Sequence, residues 1–243
     1  MTGQGRLGYL IGMPRRARSI LGGYVYHVLN RANGRLRLFR KDADFAAFER
    51  VIAEAHQRVP LRILGYTVMG NHWHFVVWPR RGKPEQVSEF FRWLTVTHSQ
   101  RWHAHHGTAG MGHVYQGRFK SFPIAEDEHL RSVLRYVERN PLRAGMVKRA
   151  EAWRYGSLYR RVQGTPEERS LLAESPIPLG RSWPDRVNRP ETEAELAAIR
   201  RSVERGRPFG GEAWSAKVVR QMGLEHTLRP RGRPKKADDV SAD

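Results

Sequence analysis

The chain contains no cysteine. That excludes disulfides, thiolate zinc centres, iron–sulfur clusters and a cysteine nucleophile, and it fits a reducing compartment. Long apolar runs are missing too: none approaches the ~18 residues of a membrane-spanning helix. The short apolar patch Tyr9–Met13 precedes the main basic run of the N-terminus, the reverse of a secretory signal. There is no Gly-x-x-x-x-Gly-Lys-Ser/Thr loop, so a P-loop nucleotide site is excluded. Acidic residues are scarce, 24 against 43 Lys and Arg, which leaves a formal charge of +19. Such an imbalance speaks of partners rather than fold. The expectation is a cytoplasmic, nucleoid-associated protein without a membrane partner, binding a polyanion, with nucleic acid the first candidate.

What is present supports a folded core. Hydrophobic residues make up 40%, with 7 Trp and 9 Phe. The charge is uneven. Residues 1–160 hold 27 basic and 11 acidic residues, and the remainder 16 and 13. Of the cations, 36 are Arg and 7 are Lys, and Arg offers a planar fork to phosphate.

Periodicity predicts a strand at Tyr24–Asn30 and a helix at Asp42–Val59, closed by Pro60. A hairpin of Leu61–Met69 and His72–Trp78 follows around Gly70-Asn71, then a helix at Glu85–His106. Val114–Ile124 reads as one or two short strands and Glu126–Asn140 as a helix ended by Pro141. The order β-α-β-β-α-β-α fits an α+β, ferredoxin-like antiparallel sheet with helices on one face. Beyond Arg160 a mostly helical and extended region is expected. It has Pro-rich loops over Gly164–Pro190, helices at Thr192–Glu204 and Glu212–Met222, and a basic end, Arg229–Lys236. The division predicted is an arm (1–22), a catalytic domain (23–160), an accessory region (161–228) and a flexible tail (229–243).

Two features carry chemistry. His72 and His74, at i and i+2 on a strand, point to one face and can converge on a divalent ion; two exposed strand histidines would give the same spacing. On the last helix of the catalytic part, at about 100° per residue, Leu130, Val133, Leu134 and Val137 form one stripe. Tyr136 and Asn140 share its flank as an i, i+4 pair. They can look into a cleft, or Tyr136 can simply pack while Asn140 caps the helix. The combination in a basic protein is more specific than either part.

These residues resemble the HUH superfamily of single-tyrosine transposases, and within it the REP-associated tyrosine transposases. The resemblance rests on Met13-Pro-Arg-Arg-Ala-Arg18, Tyr24–Arg31, Gly70-Asn-His-Trp-His-Phe75, Gln116-Gly-Arg-Phe-Lys-Ser121 and Tyr136-Val-Glu-Arg-Asn-Pro-Leu-Arg-Ala-Gly145. It covers roughly residues 13–160. It implies that His72, His74 and Asn140 bind Mg²⁺ or Mn²⁺. It also implies that Tyr136 attacks single-stranded DNA to give a 5′-phosphotyrosine, and that the substrate is a REP-like hairpin handled by a monomer or weak homodimer. Residues 1–12 precede the usual start in that family, which makes Met13 a candidate initiator.

Several cations are expected to contact DNA: Arg118 and Lys120 beside the site, Arg139 and Arg143 on the Tyr helix, Arg15, Arg16 and Arg18 in the arm, and Arg231 and Arg233 in the tail. A solvated edge or face is the alternative for Arg118, Lys120, Arg139 and Arg143, and a disordered arm for Arg15, Arg16 and Arg18; Arg231-Gly-Arg-Pro234 resembles a short minor-groove hook. Tyr26, Tyr66 and Tyr115 are rival nucleophiles, though their strand positions suit core packing. His103, His105 and His106 read as surface residues. The competing functions are a catalytically silent hairpin-binding protein and a replication initiator of the same superfamily.

Overall fold

The computed structural model describes residues 19–229. Strands β1 (Val25–Arg31), β2 (Arg62–Met69), β3 (His72–Trp78) and β4 (Lys120–Ile124) form one antiparallel sheet in the order β2-β3-β1-β4. Helix α1 (Asp42–Arg58) joins β1 to β2, and α2 (Glu85–His106) joins β3 to β4. Each crossover leaves a gap that the other unit fills, so β1 pairs with β3 on one side and β4 on the other. This is the split βαβ arrangement expected. Gly107 ends α2 in the left-handed conformation, at φ 62°.

The sheet buries both faces. On the first, Tyr26, Val28, Tyr66, Val68, Trp73 and Phe75 meet α1 and α2 through Phe48, Ile52, Phe90 and Phe91. On the second, Val25, Leu64, Val76, Phe122 and Ile124 meet α3 (Glu128–Glu138) through Leu130, Val133, Leu134 and Val137. Helices on one face were expected. The second layer is explained by β2, where every residue from Ile63 to Met69 is buried, so neither face is wet.

Three further expectations change in detail. Only Lys120–Ile124 of the 114–124 stretch is strand, and Tyr115 makes an isolated bridge to Ala32; Arg118 therefore lies in the preceding loop. The Tyr136 helix does not stop before Pro141. The backbone stays in the α region through Arg139 into α4 (Asn140–Arg143), where Pro141 sits in the first turn and its missing N–H costs nothing. The 164–190 stretch is not all loop. After α5 (Ser157–Gln163) it holds α6 (Pro166–Ser170), opened by a Thr165–Glu168 capping box, and α7 (Trp183–Asn188).

Helices α8 (Glu193–Arg205) and α9 (Glu212–Met222) follow close to the expected bounds. The segment after residue 160 shares both cores. Trp183, Val187, Leu196 and Ile199 join the second-face cluster, and Val218 and Met222 the first.

Candidate active site

Alternation along β3 sends Trp73 into the first-face core, where it stacks on Phe91 with ring centroids 5.3 Å apart. His72 and His74 turn to the second face, rings 5.0 Å apart and nearly perpendicular. That face also receives Tyr136 from α3. Its ring stands edge-on to His74, with centroids 5.9 Å apart, and edge-on to His27 of β1, 6.4 Å apart. The predicted pair and the predicted nucleophile are thus brought together.

The helix can come this close because β2 has no side chain at Gly65. A Cβ there would lie 2.8 Å from Leu134 Cδ2. Thr67 Oγ1 fixes the same approach by donating to the Val137 carbonyl at 2.9 Å.

Each histidine of the pair has its Nδ1 engaged. His72 Nδ1 lies 2.6 Å from Asn71 Oδ1, and His74 Nδ1 lies 2.9 Å from His27 Nε2. In each ring Nε2 is the nitrogen outside these contacts, and an outer partner at Nδ1 is how proteins orient a metal-binding imidazole. All three stay neutral far into acid. Burial pushes His72 down to about 4, with Arg31 and Arg143 adding to the effect. Burial takes His27 down to about 3. His74 is held well below the usual imidazole range by burial first, then by His72, His27 and Arg143.

Asn140 opens α4, one turn past Tyr136, and is buried, 8% exposed. Its Nδ2 finds no partner among the described residues. Among those residues no group of three or more His, Cys, Asp or Glu is placed to hold a metal, and Asn140 would add an amide oxygen to the histidine pair. Two neutral imidazoles and an amide oxygen fit a divalent ion that keeps positions open for phosphate oxygens. That set does not by itself separate Mg²⁺ from Mn²⁺.

The cations are distributed unequally. Arg143 lies over the Tyr136 ring, 4.4 Å from its centroid, and pairs with Glu191 at 2.9 Å. Arg139 also meets Glu191, at 3.0 Å, and donates to the Val187 and Asn188 carbonyls. Lys120 and Arg118 are exposed at and before the start of β4. Arg15, Arg16, Arg18, Arg231 and Arg233 lie outside the described residues.

The rival tyrosines belong to the first-face core. Tyr26 OH bonds the Leu21 carbonyl, Tyr66 OH donates to Glu49, and Tyr115 OH sits between Trp73 Nε1 and His98 Nδ1. Sequence reasoning missed His27 and Glu191. His27 carries a signal, a polar residue at an inward position within the apolar-rich run Val25–Leu29. Glu191 carries none, because it stands in a Pro-rich link whose fold contacts are all distant.

Residues 22–140 match the family described as "Transposase IS200 like". A REP-associated tyrosine transposase of Escherichia coli (strain K12) is 26% identical over 144 residues, 59% of this chain and 81% of that protein. A solved structure, of a REP-associated tyrosine transposase bound to a REP hairpin, is 18% identical with a TM-score of 0.48, covering 62% of this chain and 86% of the other. Among the described residues no helix is long and apolar enough to cross a membrane.

Proposed function

We propose that residues 22–140, which match the family described as "Transposase IS200 like", form a transposase domain, and that the chain cuts and rejoins single-stranded DNA through Tyr136. The observation that carries this reading is the seating of the Tyr136 ring between His74 and the Arg143 guanidinium. The phenol oxygen attacks the scissile phosphorus, the 3′ oxygen leaves, and a 5′-phosphotyrosine holds the strand until a 3′-hydroxyl reverses the step. A free tyrosine ionises near pH ~10, so its proton must leave during attack. A divalent ion, Mg²⁺ or Mn²⁺, held by His72, His74 and Asn140 would polarise the phosphate and offset the charge of the transition state.

The substrate we propose is a REP-like DNA hairpin with a single-stranded flank, by analogy with the Escherichia coli relative's name. Lys120, Arg118, Arg143 and the cations of both chain ends would contact its backbone. Arg139, already held by Glu191 and two carbonyls, serves rather to hold the C-terminal segment. The protein acts as a monomer or weak homodimer.

The test is a denaturing gel of the protein with labelled tailed hairpins, in Mn²⁺ or Mg²⁺ and in EDTA, beside Tyr136→Phe. A metal-dependent adduct that resists denaturant and is lost in the variant is expected. An adduct that persists in Tyr136→Phe overturns the nucleophile. Binding without any adduct turns the reading to a silent hairpin-binding protein.

A further inference from the structure

His27 takes no part in the chemistry above, yet it is the partner of a proposed ligand. Its ring lies in a sealed layer between Phe122, at 4.9 Å, and His74, at 5.0 Å. It is fully buried, and its Nε2 meets His74 Nδ1 at 2.9 Å. The two rings come from adjacent strands, β1 and β3, where His27 stands opposite Val76, so the register places them side by side. On its far side, His27 Nδ1 is buried and has no hydrogen-bond partner among the described residues.

That last point separates this pair from His72 and Asn71. Asn71 can turn its Oδ1, an acceptor only, toward the ring, and then His72 must carry its proton on Nδ1 and leave Nε2 bare. His27 is not an obligate acceptor. One hydrogen lies in the 2.9 Å gap, and it can belong to either ring. If it belongs to His27 Nε2, His74 accepts it at Nδ1, carries its own proton on Nε2 and has no lone pair for a metal. If it belongs to His74 Nδ1, then Nε2 of His74 is free, and the proton of His27 sits on its Nδ1. Each ring keeps one proton in both arrangements, so the charge of the pair does not change. Nothing beyond His27 favours one arrangement, because its Nδ1 finds neither a donor nor an acceptor.

We propose that His27 is a positioning residue that sets the tautomer of His74, so that binding of a divalent ion at His74 Nε2 and the placement of the proton on His27 Nδ1 are one coupled event. This rests on the metal reading of His72 and His74. The site then acts as a two-state device. His27 accepts from His74 when the ion is present, either ring can hold the proton when it is not, and the face that carries Tyr136 is assembled without a fixed negative charge behind the ligand. A carboxylate in place of His27 would hold His74 permanently in the ligating form.

The test is Mn²⁺ binding to the full chain without DNA, read from the electron paramagnetic resonance of free Mn²⁺. Wild type is run beside His27→Phe, His27→Gln and His72→Ala. Losing an outer-shell partner typically weakens a metal site about 10- to 100-fold. That loss is expected in His27→Phe, which keeps the volume but accepts no hydrogen bond. His27→Gln, whose amide oxygen can accept from His74 Nδ1, should recover most of it. Equal affinity in His27→Phe and wild type overturns the proposal, and so does equal weakness in the Phe and Gln variants, which would mean that only packing matters. No binding by wild type, matched by His72→Ala, removes the metal reading and the proposal with it.

A second measurement needs no variant. Histidine ring ¹⁵N–¹H spectra of wild type, with and without Mg²⁺, should show His27 divided between the Nε2- and Nδ1-protonated forms without the ion and protonated at Nδ1 alone on loading. His27 still protonated at Nε2 in the Mg²⁺-loaded protein overturns the proposal.

Discussion

Glu138 has no exposed side-chain surface and holds three donors from later in the chain: Ser157 Oγ at 2.6 Å, Trp183 Nε1 at 2.6 Å and Arg161 Nε at 3.4 Å. Removing one member of a buried ionic cluster leaves the others uncompensated, at about 3–5 kcal/mol. Glu138→Ala is therefore expected to lower the stability measured by urea titration by an amount of that order, and Glu138→Gln by less. The buried histidines make a second prediction. An unfolded imidazole titrates near ~6.5, whereas burial holds His72 and His98 at about 4 and His27 at about 3. Between those values the unfolded chain binds more protons, so stability is complete above the unfolded value and falls as pH drops below it. The urea midpoint is expected to decline steadily from about pH 6.5 toward pH 4; a flat profile would contradict neutral burial. At this scale His72, His74, Tyr136 and Asn140 were legible, because spacing along one strand and one helix encodes which side chains share a face. His27 was not, since its meeting with His74, 47 residues away, depends on strand register.

Helix α3 is placed by a missing side chain. Gly65 lets Leu134 rest on β2: a Cβ would lie 2.8 Å from Leu134 Cδ2, and the two further methyls of a valine would press on the helix from the same place. Gly65→Val is expected to cost about 1–3 kcal/mol, as overpacking does. It should also reduce adduct formation more than hairpin binding, because Tyr136 moves with the helix while the exposed cations stay. A variant that loses both equally would argue that α3 position is not limiting. The amphipathic stripe of α3 was readable in the sequence, but not the sheet face it would choose. Apolar residues at successive positions of β2, Ile63 and Leu64 among them, demanded a second layer that the element order alone did not announce. Pro141 misled for a local reason. It marks a stop inside a helix, yet it is equally at home in a first turn, and only the backbone through Arg139 decides between the two.

At the scale of the molecule, the segment after residue 160 completes the fold. It supplies Trp183, Val187, Leu196 and Ile199 to the second-face core, and backbone bonds join Phe209 to Pro123 and Ala125 at the sheet edge. Truncation after Gly164 is expected to expose Val133, Leu134 and their neighbours. The result should be a chain that binds a hydrophobic dye and loses amide protection across α3; a truncated chain that unfolds cooperatively without dye binding would refute this. Helices α8 and α9 were readable in this region, but its packing was not, because Pro-rich links such as 171–182 carry no periodicity from which packing could be read. The alternation of Trp73 with His72 and His74 has one more consequence. A slip of one residue in β3 would carry the indole to the face of α3 and the imidazoles to the face of α1 and α2. A newly made chain that pairs its strands wrongly therefore parts the histidines from Tyr136, and the proposed site exists only once the register is right.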